Sequence, residues 1–179
     1  MRFTVPFLGE RKYVQGASVL DALDVLLSSA RQIDVRFSRP MTRNVLEVVP
    51  DSKDSPCTIE LTNIGGRQSF GVREVAENPQ REPYDESAAL SGAWFRDSQA
   101  GMKVRNFADV VALNKAFLHR VSPPDPSKQY LFARLEIEDY PFPWGEIELA
   151  FTTKAGPLFV STLSGACSGK VYFVSHTKL

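Results

Sequence analysis

The sequence predicts an α+β protein made of two halves that share one order of elements: a strand, a helix and four strands. Helical periodicity occurs twice in the chain, and each time it is flanked by runs that alternate with the period of two typical of strands. The turns between these runs are short, so neighbouring strands are expected to pair antiparallel. A length of 179 residues suffices for one ordinary domain, or for two small units that share a core.

The first half begins with a predicted strand at 2–8, because Phe3, Val5 and Phe7 alternate with other residues. A helix is predicted over 18–31, where apolar side chains recur at helical spacing. These side chains are Leu20, Leu23, Leu27 and Ala30. The four strands of this half are then predicted at 33–37, 44–50, 57–62 and 69–75.

The start of the first helix carries an acidic residue at a position that favours helix formation. Ser18 stands three residues before Asp21, and this spacing resembles a capping box with Asp in place of the usual Glu. A carboxylate in the first turn is also favoured by the positive end of the helix dipole. The sequence therefore predicts that Asp21 stabilises the beginning of its own helix.

The second half repeats this order of elements. A strand is predicted at 89–95, and a helix over 106–121, with Asn106 as its N-cap and Asp109 three residues later. Four further strands are predicted at 130–137, 146–152, 158–163 and 170–175.

A charged segment with two prolines and no periodicity separates the halves. The predicted organisation is therefore a first repeat at 1–76, a linker at 77–88 and a second repeat at 89–179. A shift of about 101 residues supports the repeat. It lays 44–50 on 145–151, 55–62 on 156–163 and 69–75 on 170–176.

Composition excludes several classes of function. Lys and Arg number 21, as do Asp and Glu, so the chain has no net charge with which to attract nucleic acid or anionic lipid. No apolar run approaches the roughly 18–20 residues of a membrane span, and the N-terminus does not resemble a signal peptide. Two cysteines and two histidines without zinc spacing indicate free thiols and no metal site. We expect a cytoplasmic protein without a cofactor.

The stretch from Gly16 to Leu23, GASVLDAL, resembles the start of the central helix in β-hydroxyacyl-ACP dehydratases of the hotdog superfamily. Gly16 precedes Asp21 by five residues, as the family's Gly precedes its catalytic acid, and Ala22 and Leu23 continue the pattern. The resemblance implies a double hotdog, in which one continuous curved sheet wraps around the helices of both repeats. A single strongly curved sheet of another α+β type, cystatin-like or cone-shaped, is the alternative.

The same resemblance implies a site at the helix start, with departures from the family's pattern. Phe7 stands where the dehydratases have their catalytic His, and Lys12 and Gln15 replace two prolines. Hotdog thioesterases instead use one carboxylate on or near the helix, together with backbone N–H groups that polarise the thioester carbonyl. Asp21 is accordingly the implied catalytic residue. The implied substrate-binding residues are Tyr13, Gln15 and Gly16.

Two functions follow from this interpretation. The first is the binding of an acyl thioester on coenzyme A or an acyl carrier protein, in a thioesterase-like or dehydratase-like enzyme. The second is a non-catalytic hotdog-like module for protein assembly or for binding a small apolar ligand, which the missing His favours. Neither involves nucleic acid or a membrane, and a homodimer is expected as the assembly. Function inferred from fold alone is analogy, so the helix-start residues carry the first interpretation.

Overall fold

The computed structural model describes residues 1–50, 54–140 and 144–178. Its elements up to residue 76 are β1 (Arg2–Thr4), β2 (Phe7–Leu8), α1 (Gly16–Ala22), α2 (Asp24–Leu27), β3 (Gln32–Phe37), β4 (Val45–Pro50), β5 (Cys57–Asn63) and β6 (Gly66–Ala76). The elements that follow are β7 (Arg81–Glu82), α3 (Glu86–Ala89), β8 (Trp94–Arg96), β9 (Gln99–Lys103), α4 (Phe107–Val121), β10 (Lys128–Ile137), β11 (Glu146–Ala155), β12 (Leu158–Gly165) and β13 (Gly169–Thr177).

Eleven of these strands form one antiparallel sheet in the order β1-β4-β6-β5-β3-β10-β13-β12-β11-β9-β8. The strands before residue 77 form one side of the sheet and those after residue 93 form the other. The two sides meet where β3 pairs with β10, with Ile33 opposite Ile137 and Arg36 opposite Arg134. The sheet is not closed, and α1 and α4 contact each other as well as the sheet. The predicted α+β class and the hotdog architecture are thus confirmed.

One hydrophobic core joins the helices to the sheet. On β12, Phe159, Ser161 and Leu163 are buried while the residues between them are more exposed, which is the alternation expected of a strand with one face inward. The helices contribute a further set of buried apolar side chains, each of which stabilises the fold by roughly 1.5–3 kcal/mol. They include Val19, Leu20 and Leu23 together with Phe107, Val110, Leu113 and Phe117.

The longest helix, α4, has 15 residues and coincides with the predicted helix over 106–121. Its N-cap is Asn106, as predicted, and the side chain of that residue accepts a hydrogen bond from the backbone N–H of Asp109 at 2.8 Å. No helix in the described residues is long and apolar enough to cross a membrane.

Two of the strands matched by the internal repeat occupy equivalent places in the sheet. β4 lies next to β1 and β11 lies next to β9, and β1 and β9 are each the last strand of the large sheet before the helices of their own half. The following strands do not correspond in this way. β6 lies between β4 and β5, whereas β11, β12 and β13 are consecutive neighbours. The expected equivalence of 55–62 and 156–163 is therefore wrong, because the strands in these ranges, β5 and β12, occupy different places in the sheet.

The different order arises from the turn after β11. Ala155 pairs directly with Leu158, so a two-residue turn joins β11 to β12, and Gly156 in this turn has a φ of 58° that glycine adopts without strain. The corresponding connection after β4 leads instead to a strand that is separated from β4 by β6. The boundaries of the two repeats remain a prediction.

The predicted strand at 2–8 is divided into two strands in different sheets. β1 pairs with β4, whereas β2 pairs in parallel with β7 in a separate two-stranded sheet. Pro6 stands between them and has no N–H with which to continue a strand ladder.

The predicted helix over 18–31 is also shorter and divided. It begins at Gly16 rather than at 18, it is interrupted at Leu23, which has φ −100° and ψ 5°, and α2 ends at Leu27. Asp24, at the start of α2, accepts a hydrogen bond from the Tyr140 hydroxyl at 2.6 Å, so this short helix is tied to the other half of the chain.

The region predicted as a linker and a strand contains other elements. The linker at 77–88 includes β7 and the start of α3, whose N-cap Asp85 accepts hydrogen bonds from the N–H groups of Ser87 and Ala88. The strand predicted at 89–95 is wrong over most of its length, because α3 ends at Ala89 and β8 begins at Trp94. Asp85, which favours a helix start, is the signal that the sequence interpretation missed.

Candidate functional site

An apolar cavity of about 210 Å³ lies between the start of α1, the segment 37–41 and strands β10 and β13. It is somewhat larger than an engineered cavity of about 150 Å³ that holds benzene. Residues from both halves of the chain form its walls. The apolar ones include Val14, Ala17, Phe37, Met41, Val111, Phe132 and Phe173. The cavity therefore has the size and chemistry to hold a small apolar group.

Three phenylalanines, Phe37, Phe132 and Phe173, form what we call the aromatic wall of the cavity. The ring centroids of Phe37 and Phe132 lie 5.3 Å apart, and those of Phe132 and Phe173 lie 5.8 Å apart. A β-bulge in β10 leaves Ala133 without a paired residue next to this wall, and Ala133 also lines the cavity. Bulges of this kind re-aim side chains and are frequent beside binding sites.

Gly16 lets the start of α1 approach the aromatic wall closely. A Cβ atom at this position would lie 2.8 Å from Phe132 Cδ1 and 2.9 Å from Phe37 Cζ, closer than carbon atoms normally approach. Glycine therefore permits the close contact between the helix start and the two rings, and a larger residue would force the rings to move.

The three residues that were expected to bind substrate, Tyr13, Gln15 and Gly16, all line this cavity. Gln15 is the N-cap residue of α1. When the Gln15 side-chain amide is oriented so that both its oxygen and its nitrogen face suitable partners, the oxygen accepts hydrogen bonds from the Arg11 guanidinium, the shortest at 3.0 Å. The structure thus brings the three predicted residues together, and their role in binding stays a prediction.

Asp21 lies elsewhere. It is not among the described residues that line the cavity. Its carboxylate accepts hydrogen bonds from the backbone N–H groups of Phe107, at 2.8 Å, and Ala108, at 3.2 Å, at the start of α4. The prediction that Asp21 stabilises the start of its own helix is wrong, because α1 begins earlier than predicted and Asp21 falls in its last turn. The helix that Asp21 stabilises is α4, in the other half of the chain.

The surroundings of Asp21 raise its pKa to about 6. Burial is the largest cause, because it penalises the charged carboxylate, and the neighbouring carboxylates of Asp109 and Asp24 act in the same direction. The hydrogen bonds from Phe107 and Ala108 oppose this shift. A carboxyl group with a pKa in this range can exchange a proton near neutral pH.

Asp109 is buried beside Asp21 but has a cationic partner. Its carboxylate accepts hydrogen bonds from the Arg105 backbone N–H at 2.9 Å and from Arg105 Nε at 3.0 Å. The two aspartates, which the sequence interpretation treated as equivalent, therefore differ: Asp109 is neutralised by a guanidinium, whereas Asp21 is held by backbone donors.

Several basic residues line the cavity together with the apolar walls, namely Arg11, Arg39, Lys115 and His176. Sequence interpretation did not place Arg11, Lys115 or His176 at a site. Arg39 is paired with Glu74 at 2.6 Å, and Lys115 is paired with Glu86 at 3.1 Å. These residues belong to segments far apart in the sequence, so no local pattern indicates that they meet.

Phe7, which stands where the dehydratases have their catalytic His, is 3% exposed and belongs to the core. Its ring centroid lies 5.3 Å from the Arg81 guanidinium. Over the described ranges, no group of three or more His, Cys, Asp or Glu side chains could hold a metal ion.

No family model and no curated protein matches this sequence. Among solved structures, a candidate thioesterase II from Thermobifida fusca is similar at 10% identity and a TM-score of 0.52, over 96% of this chain and 89% of that one. An acyl-ACP thioesterase from Bacteroides thetaiotaomicron has 7% identity and a TM-score of 0.48, over 98% and 96% of the two chains. A conserved protein with a hot dog fold from Alicyclobacillus acidocaldarius has 12% identity and a TM-score of 0.46, over 94% and 88%. At these identities the likeness extends to the fold alone.

Proposed function

We propose that this hotdog-fold protein binds an acyl thioester, carried on coenzyme A or on an acyl carrier protein, with the acyl group in the apolar cavity. One observation carries the proposal: Tyr13, Gln15 and Gly16, which the dehydratase resemblance implies as binding residues, line the same cavity as the aromatic wall. The similarity to a candidate thioesterase II supports a thioester ligand at the level of the fold.

The chemistry of the walls agrees with this ligand. Each methylene group of an acyl chain that leaves water for an apolar cavity contributes about 0.8 kcal/mol. Tyr13 and Gln15 are polar residues next to the helix start. The side chain of each can donate a hydrogen bond to a thioester carbonyl. The acyl chain would then lie against the aromatic wall, with the carrier directed outwards past Arg11 and Lys115.

Filling the cavity tests the proposal. Ala133→Phe places a bulky side chain in the cavity wall, so binding of hexanoyl- and octanoyl-CoA by the wild-type protein should be lost in this variant when measured by titration calorimetry. Ala155→Phe is the matched control, because Ala155 is exposed on β11 and lies outside the cavity. Equal binding by both variants would exclude this cavity as the acyl site.

The same titrations separate the alternatives. Equal affinity for octanoyl-CoA and for octanol would favour a carrier of small apolar ligands. Failure of the wild-type protein to bind either ligand would favour the protein-assembly module.

Catalysis by Asp21 is the second candidate function, and the raised pKa of Asp21 favours it. In thioester hydrolysis a carboxylate takes a proton from water as the water oxygen attacks the carbonyl carbon. The carbon–sulfur bond then breaks, and the carboxyl group returns the proton to the leaving thiolate, which departs as a thiol. Against this role, both carboxylate oxygens of Asp21 already accept hydrogen bonds from α4.

Release of thiol from octanoyl-CoA tests this second function. If Asp21 is the catalytic carboxylate, the substitution Asp21→Asn should lower the turnover of the protein by about 100-fold or more. Asp109→Asn is the control, because Asp109 is a neighbouring buried carboxylate that pairs with Arg105. Equal rates for both variants and the wild-type protein would exclude catalysis by Asp21.

A further inference from the structure

Strand β10 has a stretch of backbone edge beside which no other strand of the described residues lies. β13 pairs with β10 along its whole length, whereas β3 pairs with it only over 134–137, because the chain leaves the sheet after Phe37. The first part of β10 is therefore an open edge inside an otherwise continuous sheet. Residues 130–133 of this open edge line the apolar cavity, which separates them from the segment that follows β3.

The alternation of an antiparallel ladder determines which peptide groups of the open edge point towards the cavity. Ser175 on β13 donates its N–H to the turn before β12, so the N–H and C=O of its neighbour Val174 point to β10 instead. Val174 is opposite Leu131, so Leu131 uses its backbone groups in the ladder. The N–H and C=O groups of Tyr130 and Phe132 consequently point away from β13, into the space that β3 has left.

These four peptide groups have no backbone partner in the described residues. β3 pairs with neither Tyr130 nor Phe132, and no loop is hydrogen-bonded to them. Tyr130 is only 4% exposed, so bulk water has little access to it. Backbone groups that are buried to this degree are almost always hydrogen-bonded, because an unpaired one lowers stability. A molecule in the cavity with its own donors and acceptors would complete the open edge.

We propose that the open edge binds the amide-bearing arm of the thioester carrier, through hydrogen bonds of the kind that join two strands. The inference rests on the proposed function, because it places the arm of the same ligand. A strand edge with N–H and C=O groups at alternate residues is complementary to an extended chain that carries secondary amides. Coenzyme A and acyl carrier proteins both present the thioester on such a chain, the pantetheine arm. Only two methylene groups separate the thioester sulfur from the first amide of this arm.

The order of residues along β10 agrees with this placement. Phe132 belongs to the aromatic wall, where the acyl group would lie, and Tyr130 is about 6.5 Å from it along the strand. Tyr130 also lines a second cavity, of about 400 Å³, together with Tyr13 and Lys115. An arm that leaves the thioester at the start of α1 and runs towards Lys115 therefore passes the peptide groups of Tyr130 as it enters the second cavity. The site would then select acyl thioesters that carry an amide close to the sulfur.

Two ligands that differ only at the amide test the inference. S-octanoyl-N-acetylcysteamine carries the first amide of the arm, and its ester analogue has an oxygen in place of the amide N–H. The analogue has nearly the same shape but lacks the donor, so the affinity of the wild-type protein should be roughly tenfold lower for it when measured by titration calorimetry. Equal affinities for the two ligands would overturn the inference and leave acyl binding intact.

Amide hydrogen exchange followed by NMR tests the same contact on the protein. S-octanoyl-N-acetylcysteamine should slow exchange of the Tyr130 N–H by roughly tenfold or more, because that N–H gains an acceptor. The Leu131 N–H is the internal control, since it already lies in the ladder with β13 and should change much less. Equal slowing of both amides would mean that the ligand only stabilises the fold, and would overturn the inference.

Binding of octanoyl-CoA separates failure of the inference from failure of the proposed function. Binding of octanoyl-CoA without binding of the cysteamine thioester would overturn the inference alone, because the first amide would then contribute nothing that holds the ligand. Failure of the wild-type protein to bind octanoyl-CoA would overturn the proposed function, and this inference with it.

Discussion

The Asp21 carboxylate joins two helices that belong to different halves of the chain. It projects from α1 and accepts hydrogen bonds from two backbone N–H groups at the start of α4. The first N–H groups of a helix have no partner within the helix, so Asp21 supplies one. Because the site is largely buried, this arrangement holds a carboxylate whose pKa is about 6. One residue thus couples the packing of the two halves to the protonation of an acid.

The stability of the protein should depend on this acid. The pKa of Asp21 is higher in the folded state than the value of about 3.8 expected when unfolded, so the folded state binds more protons between about pH 4 and pH 6. The contribution of Asp21 to the free energy of unfolding should therefore decrease as the pH rises through this interval. After allowance for partial solvent access, we expect a decrease of about 1 kcal/mol.

Urea denaturation at pH 4.5 and pH 7.5 measures this decrease. Asp21→Asn should reduce the difference between the two pH values, whereas Glu77→Gln, which removes an exposed carboxylate, should not. An unchanged pH dependence in Asp21→Asn would contradict the raised pKa.

Gly16 is the residue at which helix start and aromatic wall meet. Gly16→Ala should place a Cβ atom within 3 Å of both Phe132 and Phe37, so the rings must move. We expect a loss of about 1–3 kcal/mol in the free energy of unfolding, together with a loss of acyl binding. Chemical denaturation and ligand titration measure the two effects. A stabilised variant would mean that the higher helix propensity of Ala outweighs the contact with the rings.

At the scale of elements, the second half was more predictable than the first. The helix α4 has an N-cap, an apolar face and 15 residues, so its local pattern and its tertiary packing agree. The helix α1 has no side-chain cap, and its start is determined by contact between Gly16 and the aromatic wall, which no local pattern reveals. A helix that is positioned by packing is expected to escape prediction from periodicity.

The residues of the candidate site also differ in whether local sequence could predict them. Tyr13, Gln15 and Gly16 were predictable because they are neighbours in one short motif. Arg11 and Lys115 were not, because they meet only after α4 packs beside the loop that precedes α1. Glu86 completes their cluster from a linker that was expected to have no structure.

The cap of α4 can be tested by itself. Asn106→Ala removes the acceptor for the backbone N–H of Asp109, and it should lower the free energy of unfolding by about 1 kcal/mol. Asn106→Ser should retain most of this stability, because Ser is also a favourable N-cap residue. Thermal and urea denaturation of both variants measure the difference. Equal stability of Ala and Ser at this position would contradict a capping role.

At the scale of the whole molecule, the pairing of β3 with β10 makes the two halves one sheet. Asp34 on β3 accepts hydrogen bonds from Arg134 Nε at 2.8 Å and Nη2 at 2.7 Å across this seam, and from Arg36 Nη2 at 2.6 Å on its own strand. These partners lower the pKa of Asp34 against the opposing effect of burial. Arg36 and Arg134 are directly opposite each other, so Asp34 offsets a repulsion between like charges.

Asp34→Ala should therefore destabilise the seam. The two guanidinium groups would lose their shared partner, and we expect a loss of about 1–3 kcal/mol in the free energy of unfolding at pH 7. The loss should shrink as the pH falls towards the lowered pKa of Asp34, because protonation removes the same interaction in the wild-type protein. Glu47→Ala on β4 breaks a pair with the more exposed Arg73, away from the seam, and is the control. Equal effects of the two substitutions would contradict a special role for the seam.

The two-residue turn at Gly156 has a consequence for the order in which the protein folds. It makes β11, β12 and β13 a meander, so these strands find their partners by closing short loops, which is fast. In the first half, β4 pairs with β6, and β5 lies between these two strands in the chain. The pairing of β4 with β6 therefore closes a longer loop. We expect the meander to form early and β10, at its inner edge, to serve as the template on which β3 assembles. Pulse-labelling hydrogen exchange during refolding should then protect amides of β12 and β13 before those of β4, and the reverse sequence of protection would contradict this pathway.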